Sequence, residues 1–397
     1  MEPLDIAVAG CGPAGLAAAL LLARDGHRVR LFERFDAPRP LGSGLMIQPT
    51  GQAVLRALGL DAPLAARSAR IDRLFGAANG RTVLDVRYAA LGRADAHGLG
   101  THRAALFDVL HDAVSAAAIP LETGRAVDAS EFESSKRRLR FADGSRSDPF
   151  DLIVDALGTR STLAPPAGRA LAYGALWASL DWPASGPFDP AALEQRYRRA
   201  SVMAGVLPLG PALTGRPPQA AFFWSLRADR LAQWQERGLD RWKAEVEELW
   251  PATAPLLAQI TTPDGLTFAR YAHRTLAAPA EPALAHIGDA WHSASPQLGQ
   301  GANMALLDAY ALATALRGTD DLDTALAHWL RLRRGHVRLY QAMSALFTPV
   351  YQSDGRLLPF ARDRLVGPVA RHWPAKRIMA GMVSGLTGDP LRPLGLA

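Results

Sequence analysis

The chain has 397 residues, 49% of them apolar and 21% charged, which excludes a disordered or fibrous protein and leaves room for two cores. Its net charge of +6 comes from arginines scattered along the chain, with Lys136, Lys243 and Lys376 the lysines, so there is no basic stripe for nucleic acid. One cysteine, Cys11, excludes an intramolecular disulfide and makes a reducing, cytoplasmic location the expectation.

Residues 5–33 carry a strand (DIAVAG), a turn (GCGPAG), a helix (LAAALLLARDG) ending at Gly26 and a second strand (HRVRLFE). The apolar run from Ile6 to Ala23 could pass for a signal-peptide core. The residues before it, MEPLD, hold two acids and no lysine or arginine, and three glycines with a proline break it as a membrane span. Thr50 reads as the cap of a short helix over 51–58 that Gly59 stops. RLFGAANGRTVLDV reads as a hairpin turning at Asn79-Gly80, and RAALFDVLHDAVSAAA as an amphipathic helix. A second hairpin, RRLRFADGSRS, is expected to turn at Asp143-Gly144 and lead into the strand FDLIVDALG.

From about Leu171 to Leu276 the texture is that of an antiparallel sheet: LAYGALWASLDW, SVMAGVLPLG, QAAFFWSLRA and LTFARYAHRTL. One helix interrupts it, with Leu239, Trp242, Val246 and Leu249 on one face and Pro251 closing it. The strand ALAHIG and the segment GDAWHSASPQLGQGANMALLDA follow, then helices with Pro and Gly breaks over 322–397.

Gly10-x-Gly12-x-x-Gly15 follows a strand and opens a helix, and Glu33 ends the next strand. The first glycine permits the turn, the second lets backbone reach a pyrophosphate, and the third brings helix and strand together. The helix N-terminus favours the phosphate charge, and Glu33 can accept from a ribose. This spacing in this context predicts a bound dinucleotide, with Cys11 a small residue inside the turn rather than a redox centre.

The early GxGxxG with Glu33-Arg34, together with the late GDAWHSASPQLGQGAN, resembles the FAD-dependent monooxygenases of the para-hydroxybenzoate hydroxylase fold (group A aromatic hydroxylases and their ubiquinone-pathway relatives). The resemblance covers most of the chain in motif order. It implies an α/β class, α+β overall: a Rossmann-like FAD-binding domain interrupted by an antiparallel-sheet substrate domain, with a helical C-terminal tail. The expected boundaries are 1–75, 101–168 and 277–320 for the first, 76–100 and 169–276 for the second, and 321–397 for the tail. The cofactor residues it implies are Gly10, Gly12, Pro13, Ala14, Gly15, Glu33, Arg34, Arg103, Gly288, Asp289, Pro296, Gly299, Gln300, Gly301, Ala302 and Asn303. Asp289 would meet the ribityl chain, and Pro296 with 299–303 would line the isoalloxazine ring. Gly42, Gly44 and Met46 sit where the family brings backbone near the flavin. His292, beside the ring, would either polarise a substrate hydroxyl or make a structural hydrogen bond. Met46, Phe222, Trp224 and Tyr271 are the substrate-pocket candidates; Phe222 and Trp224 share one strand face, as do Tyr271 and His273.

The activity implied is insertion of one oxygen atom from O2 into an aromatic or quinone-like small molecule through a flavin C4a-hydroperoxide, with NADPH or NADH as reductant. Two departures stand out. Trp291 replaces a small residue, and DALGTRS places Leu157 where the family has an aspartate implicated in flavin and NAD(P)H binding, with Asp155 two residues earlier as a substitute. Alternatives sharing the flavin motifs are an epoxidase, a halogenase or an oxidase served by a separate reductase, and a non-catalytic binding protein. No metal-ligand spacing is present. A monomer or homodimer is expected, with the basic, apolar tail packed on the FAD domain or a second subunit; membrane-surface contact is the alternative.

Overall fold

The computed structural model describes the chain apart from residues 38–42, 94, 214 and 371 and the side chains of 365–370; the expectation for Gly42 lies outside the described residues. A six-stranded sheet is built on Asp5–Ala9, which pairs in parallel with Arg28–Phe32 on one side and Leu152–Asp155 on the other. Leu284–His286 extends it in parallel. Strands buried on both faces need no polar alternation, and Ile6 to Ala9 are all fully buried. The helix Pro13–Arg24 packs against both Arg103–Ala116 and Gly301–Arg317 in the largest core.

An eight-stranded sheet forms the second layer. In it Arg169–Asp181, Gln219–Arg227, Val202–Leu209 and Thr267–Thr275 pair antiparallel. The expected hairpin at Asn79-Gly80 is present; both residues have positive φ, 49° and 74°, as the tight turn requires. The Leu239–Leu249 helix buries Trp242 and Val246 against this sheet. A three-stranded sheet of Gly44–Ile47, Gly98–His102 and Ser68–Ile71 joins the layers. Its Gly44 is needed for the approach, since a Cβ there would stand 2.7 Å from that of Ala221.

Three local readings are corrected. The second helix is Pro49–Leu58, so Thr50 lies inside it and is not its cap; Pro49 takes the first helical position, which suits its fixed φ. The turn at Asp143-Gly144 forms, but Lys136–Phe141 pairs with Val127–Glu133 across Ser134-Ser135, both at positive φ, leaving only isolated bridges on the Asp143 side. Ala192–Arg198 is a strand between Arg73–Ala78 and Val202–Leu209 that its charged residues concealed.

Candidate active site

The three flavin-motif segments converge at the carboxyl ends of the parallel strands, where ligands of open α/β sheets bind. Gly10 has φ 104°, and a Cβ at Gly15 would stand 2.0 Å from the Gly10 carbonyl oxygen, so the turn admits no side chain at either position. Gly12 differs: nothing lies within 4 Å of where its Cβ would be, and the same is true of Gly301. Two motif glycines therefore pack the protein against itself, and two face open space.

Both helices that begin here lack a cap. Pro13–Arg24 and Gly301–Arg317 have no side-chain N-cap hydrogen bond and no acid in the first turn, whereas Asp321 caps Leu322–Tyr351. Their uncapped N-terminal N–H groups leave partial positive charge for an anion or an electron-rich ring. Ala14 and Gly288 bring the two motifs together: a Cβ on Gly288, which has φ 57°, would lie 3.3 Å from that of Ala14. Asp289 is open to solvent between buried Gly288 and Ala290. It is nevertheless sunk among protein atoms, and that desolvation raises its pKa against the opposing charges of His292 and Arg103. An accessible carboxylate in such a recess suits a hydroxyl-bearing ligand. The vacant space at Gly12 and Gly301, the uncapped helices and Asp289 together fit FAD.

Glu33 bridges the turn, accepting from the Cys11 N–H at 3.1 Å and the Phe35 N–H at 3.1 Å. Burial, with Glu33 adding to it, pushes the Cys11 thiol up to about 12, so it stays protonated. Arg34 is exposed and lies over the Phe35 ring. Arg103 starts its helix with its N–H on the Ser43 carbonyl, and its charge acts on both Asp289 and Tyr271.

The late motif holds itself open. Ser295 caps the Pro296 turn and Gly299 takes φ 61°. Asn303 accepts from the Gln48 N–H at 2.8 Å and donates to the carbonyls of Met46 and Gly299 at 3.1 and 3.0 Å. It is a staple between two segments of the recess. Gln300 donates to the Val383 carbonyl at 2.6 Å, tying the loop to the C-terminal region. Ala302, between these two residues, packs against the main core.

His292 is buried with Nε2 2.7 Å from Asp308 Oδ2, and the same oxygen accepts the Gly288 N–H at 2.9 Å. Asp308 Oδ1 accepts from Arg333 Nε at 2.8 Å. Asp308 was not singled out from the sequence, although it closes the GQGxNxxxxD pattern. Asp155 does not replace the missing family aspartate: it is fully buried, accepting from the Leu157 N–H and Ser161 Oγ and lying 2.6 Å from His286 Nδ1. Leu157 packs, partly buried, against the core cluster that contains Phe32 and Phe141.

Among the substrate candidates, Met46 joins a cluster with Phe223, Leu207 and Tyr88, against which Trp177 packs. Trp177 Nε1 donates to Tyr271 OH at 3.0 Å, and the rings of Trp177 and Phe223 lie 4.7 Å apart. Phe222 and Trp224 are corrected. They do share a face, but it is the opposite one, closed over by Trp242 with ring distances of 6.1 and 6.4 Å. Both faces of this strand are apolar, so alternation could not tell which one meets the recess.

The profile of the FAD binding domain family matches residues 3–319. Aurachin C monooxygenase/isomerase of Stigmatella aurantiaca is 27% identical over 388 residues, 91% of this chain and 94% of that one. A probable 2-heptyl-3-hydroxy-4(1H)-quinolone synthase of Rhodococcus erythropolis is 28% identical over 404 residues, 99% and 96% of the two chains. In fold the chain resembles Klebsiella pneumoniae HpxO, solved with FAD and uric acid, at TM-score 0.81 and 19% identity over 98% of each chain. The chain belongs to the FAD binding domain family, among its aromatic monooxygenases, and is an FAD-dependent oxidoreductase.

Proposed function

We propose that the chain inserts one oxygen atom from O2 into a nitrogen-bearing aromatic or quinone-like molecule, using FAD reduced by NADH or NADPH. The observation that carries this reading is the recess itself, with open space at Gly12 and Gly301, uncapped helix ends and Asp289 on one side and the Trp177–Phe223–Tyr271 cluster nearby. Gly12, Pro13 and Gly15 would seat the pyrophosphate, Glu33 a ribose, and Arg103 and Asp289 the phosphate and ribityl chain. Residues 299–303 would present backbone N–H groups to the ring. Bound FAD would supply the oxygen activation; the protein orients the substrate and excludes water. Tyr271, whose pKa burial pushes up to about 12, keeps its proton at neutral pH and can donate to a substrate oxygen. His292, with Nε2 committed to Asp308, acts as a positioning group and not as a free acid or base.

The nitrogen-bearing class is supported by relatives named for quinolones and, at 26% identity over 353 residues, for 6-hydroxynicotinate in Bordetella bronchiseptica. The test is anaerobic reduction of the bound flavin by NADH and by NADPH with a panel of hydroxyquinolines, aminobenzoates and phenols. Acceleration by hydroxyquinolines or aminobenzoates supports the reading, and acceleration by phenols alone overturns the nitrogen-bearing class. Flavin that dithionite reduces but neither nucleotide touches overturns direct nicotinamide use and favours the alternative of a separate reductase, in line with Leu157.

A further inference from the structure

Eight large apolar side chains are exposed among the described residues, and six of them fall between 346 and 378: Leu346, Leu357, Leu358, Phe360, Trp373 and Ile378. Scattered single exposures are ordinary, but these fall on one short stretch of the chain, in which the Leu357–Ala370 and Ala375–Ser384 helices contact each other. Over 357–364, the described part of the Leu357–Ala370 helix carries its polarity the wrong way round for water. Its inward side holds Arg362, whose guanidinium donates to the carbonyls of Val350 and Arg199 and lies over the rings of Tyr197 and Tyr351. Its outward side holds Leu357, Phe360 and Arg364, at i, i+3 and i+7. Arg364 stacks on Phe360, its guanidinium carbon 3.9 Å from the ring centre. Trp373, 75% exposed, then leads into a helix that opens with Lys376, Arg377 and Ile378, all exposed.

The charges on this segment are one-sided. Arg356, Arg364, Lys376 and Arg377 are exposed, while the neighbouring acids are engaged: Asp354 with Arg227 and Tyr173, Asp363 with Arg362. We propose that this face docks on an anionic lipid bilayer, with Leu357, Phe360, Trp373 and Ile378 at the acyl boundary and the four cations at the headgroups. Aromatic and aliphatic side chains ringed by Arg and Lys are what that interface takes up. A second copy of the chain fits poorly, because two such faces packed together would set cation against cation.

The docking is independent of the oxygenation chemistry, so its test needs no substrate. Full-length FAD-loaded protein is sedimented with phosphatidylcholine vesicles with and without phosphatidylglycerol. Binding is expected to the anionic vesicles and to weaken with salt. Lys376→Glu or Arg377→Glu should weaken it about fivefold or more each. Phe360→Ser and Trp373→Ser should weaken it with the unfolding midpoint unchanged, since both side chains are exposed. Equal binding to both vesicle types, or none to either, overturns the proposal. So does a concentration-dependent dimer in analytical ultracentrifugation that Phe360→Ser and Trp373→Ser abolish, which would assign the face to a second copy.

Discussion

Arg333 and Asp308 form an ion pair with no solvent exposure on either side chain, 2.8 Å between Nε and Oδ1. The pair stands behind the flavin loop, because Asp308 also holds the Gly288 N–H and His292 Nε2. Arg333 Nη1 in turn lies 3.1 Å from His336 Nδ1, and His336 Nε2 lies 3.0 Å from the Gly385 carbonyl. A chain of buried polar groups thus runs from the cofactor loop to the turn after the last helix.

Breaking this pair from one side leaves an uncompensated buried charge, whereas neutralising both sides does not. Arg333→Met or Asp308→Asn alone is expected to cost about 3–5 kcal/mol of stability. The double variant should recover most of that loss. Denaturant unfolding of the four proteins checks this. Additive losses in the double variant would mean that the pair is not coupled.

His336 makes stability depend on pH. Burial, then the neighbouring Arg333 charge, lowers its pKa from the ordinary 6.5 to about 3. The unfolded chain takes up a proton near the ordinary value and the native protein does not, so stability falls as pH drops from about 6.5 toward about 3. The slope is about 1.4 kcal/mol per pH unit from this group. His336→Gln can still accept from Arg333 and donate to Gly385, and should remove that contribution. Asp308, whose pKa the His292 and Arg333 charges hold down despite burial, loses its stabilising effect only below the ordinary carboxylate range. Unfolding curves at successive pH values separate the two windows.

The motif glycines divide by what their missing side chain would meet. Gly15→Ala must displace the Gly10 carbonyl and is expected to cost about 1–3 kcal/mol in the apoprotein. Gly12→Ala meets nothing and has φ −73°, which any residue adopts. Its apoprotein stability should stay within about 0.5 kcal/mol of the parent, while FAD affinity falls on the order of ten- to hundredfold. Flavin titration alongside thermal unfolding distinguishes the two. Unchanged FAD affinity in Gly12→Ala would remove Gly12 from the proposed pyrophosphate site.

What the sequence made legible was whatever depends on local backbone. The GxGxxG turn needs its φ angles and close approach within six residues, and the late motif carries its own turn and uncapped helix. What stayed hidden depends on partners far along the chain. Asp308 and Arg333 each read as an ordinary helical residue until the fold stacks their two helices. Glu194 and Arg196 disguised an interior strand, since only its neighbours show that their face is tolerated. On Gln219–Arg227 the period of two was right and the choice of face was not, because Trp242, which decides it, lies 18 residues beyond Trp224 on a helix.

That choice of face gives the last prediction. Phe222 fills a closed core with Trp242, so Phe222→Ala should lose about 3–5 kcal/mol with no change in which compounds accelerate flavin reduction. Tyr271 lies on the opposite face, half-buried, with its hydroxyl accepting from Trp177 Nε1. Tyr271→Phe removes that hydrogen bond, which is worth about 1 kcal/mol, and takes away a proton donor that stays protonated at neutral pH. Stability and FAD affinity should therefore change little in Tyr271→Phe, while the substrate-dependent acceleration of reduction drops. Measuring unfolding and anaerobic reduction on both variants separates the faces. If Phe222→Ala alters compound preference and Tyr271→Phe does not, the substrate lies on the helix-covered side, and the cluster of Trp177, Phe223 and Tyr271 is structural core.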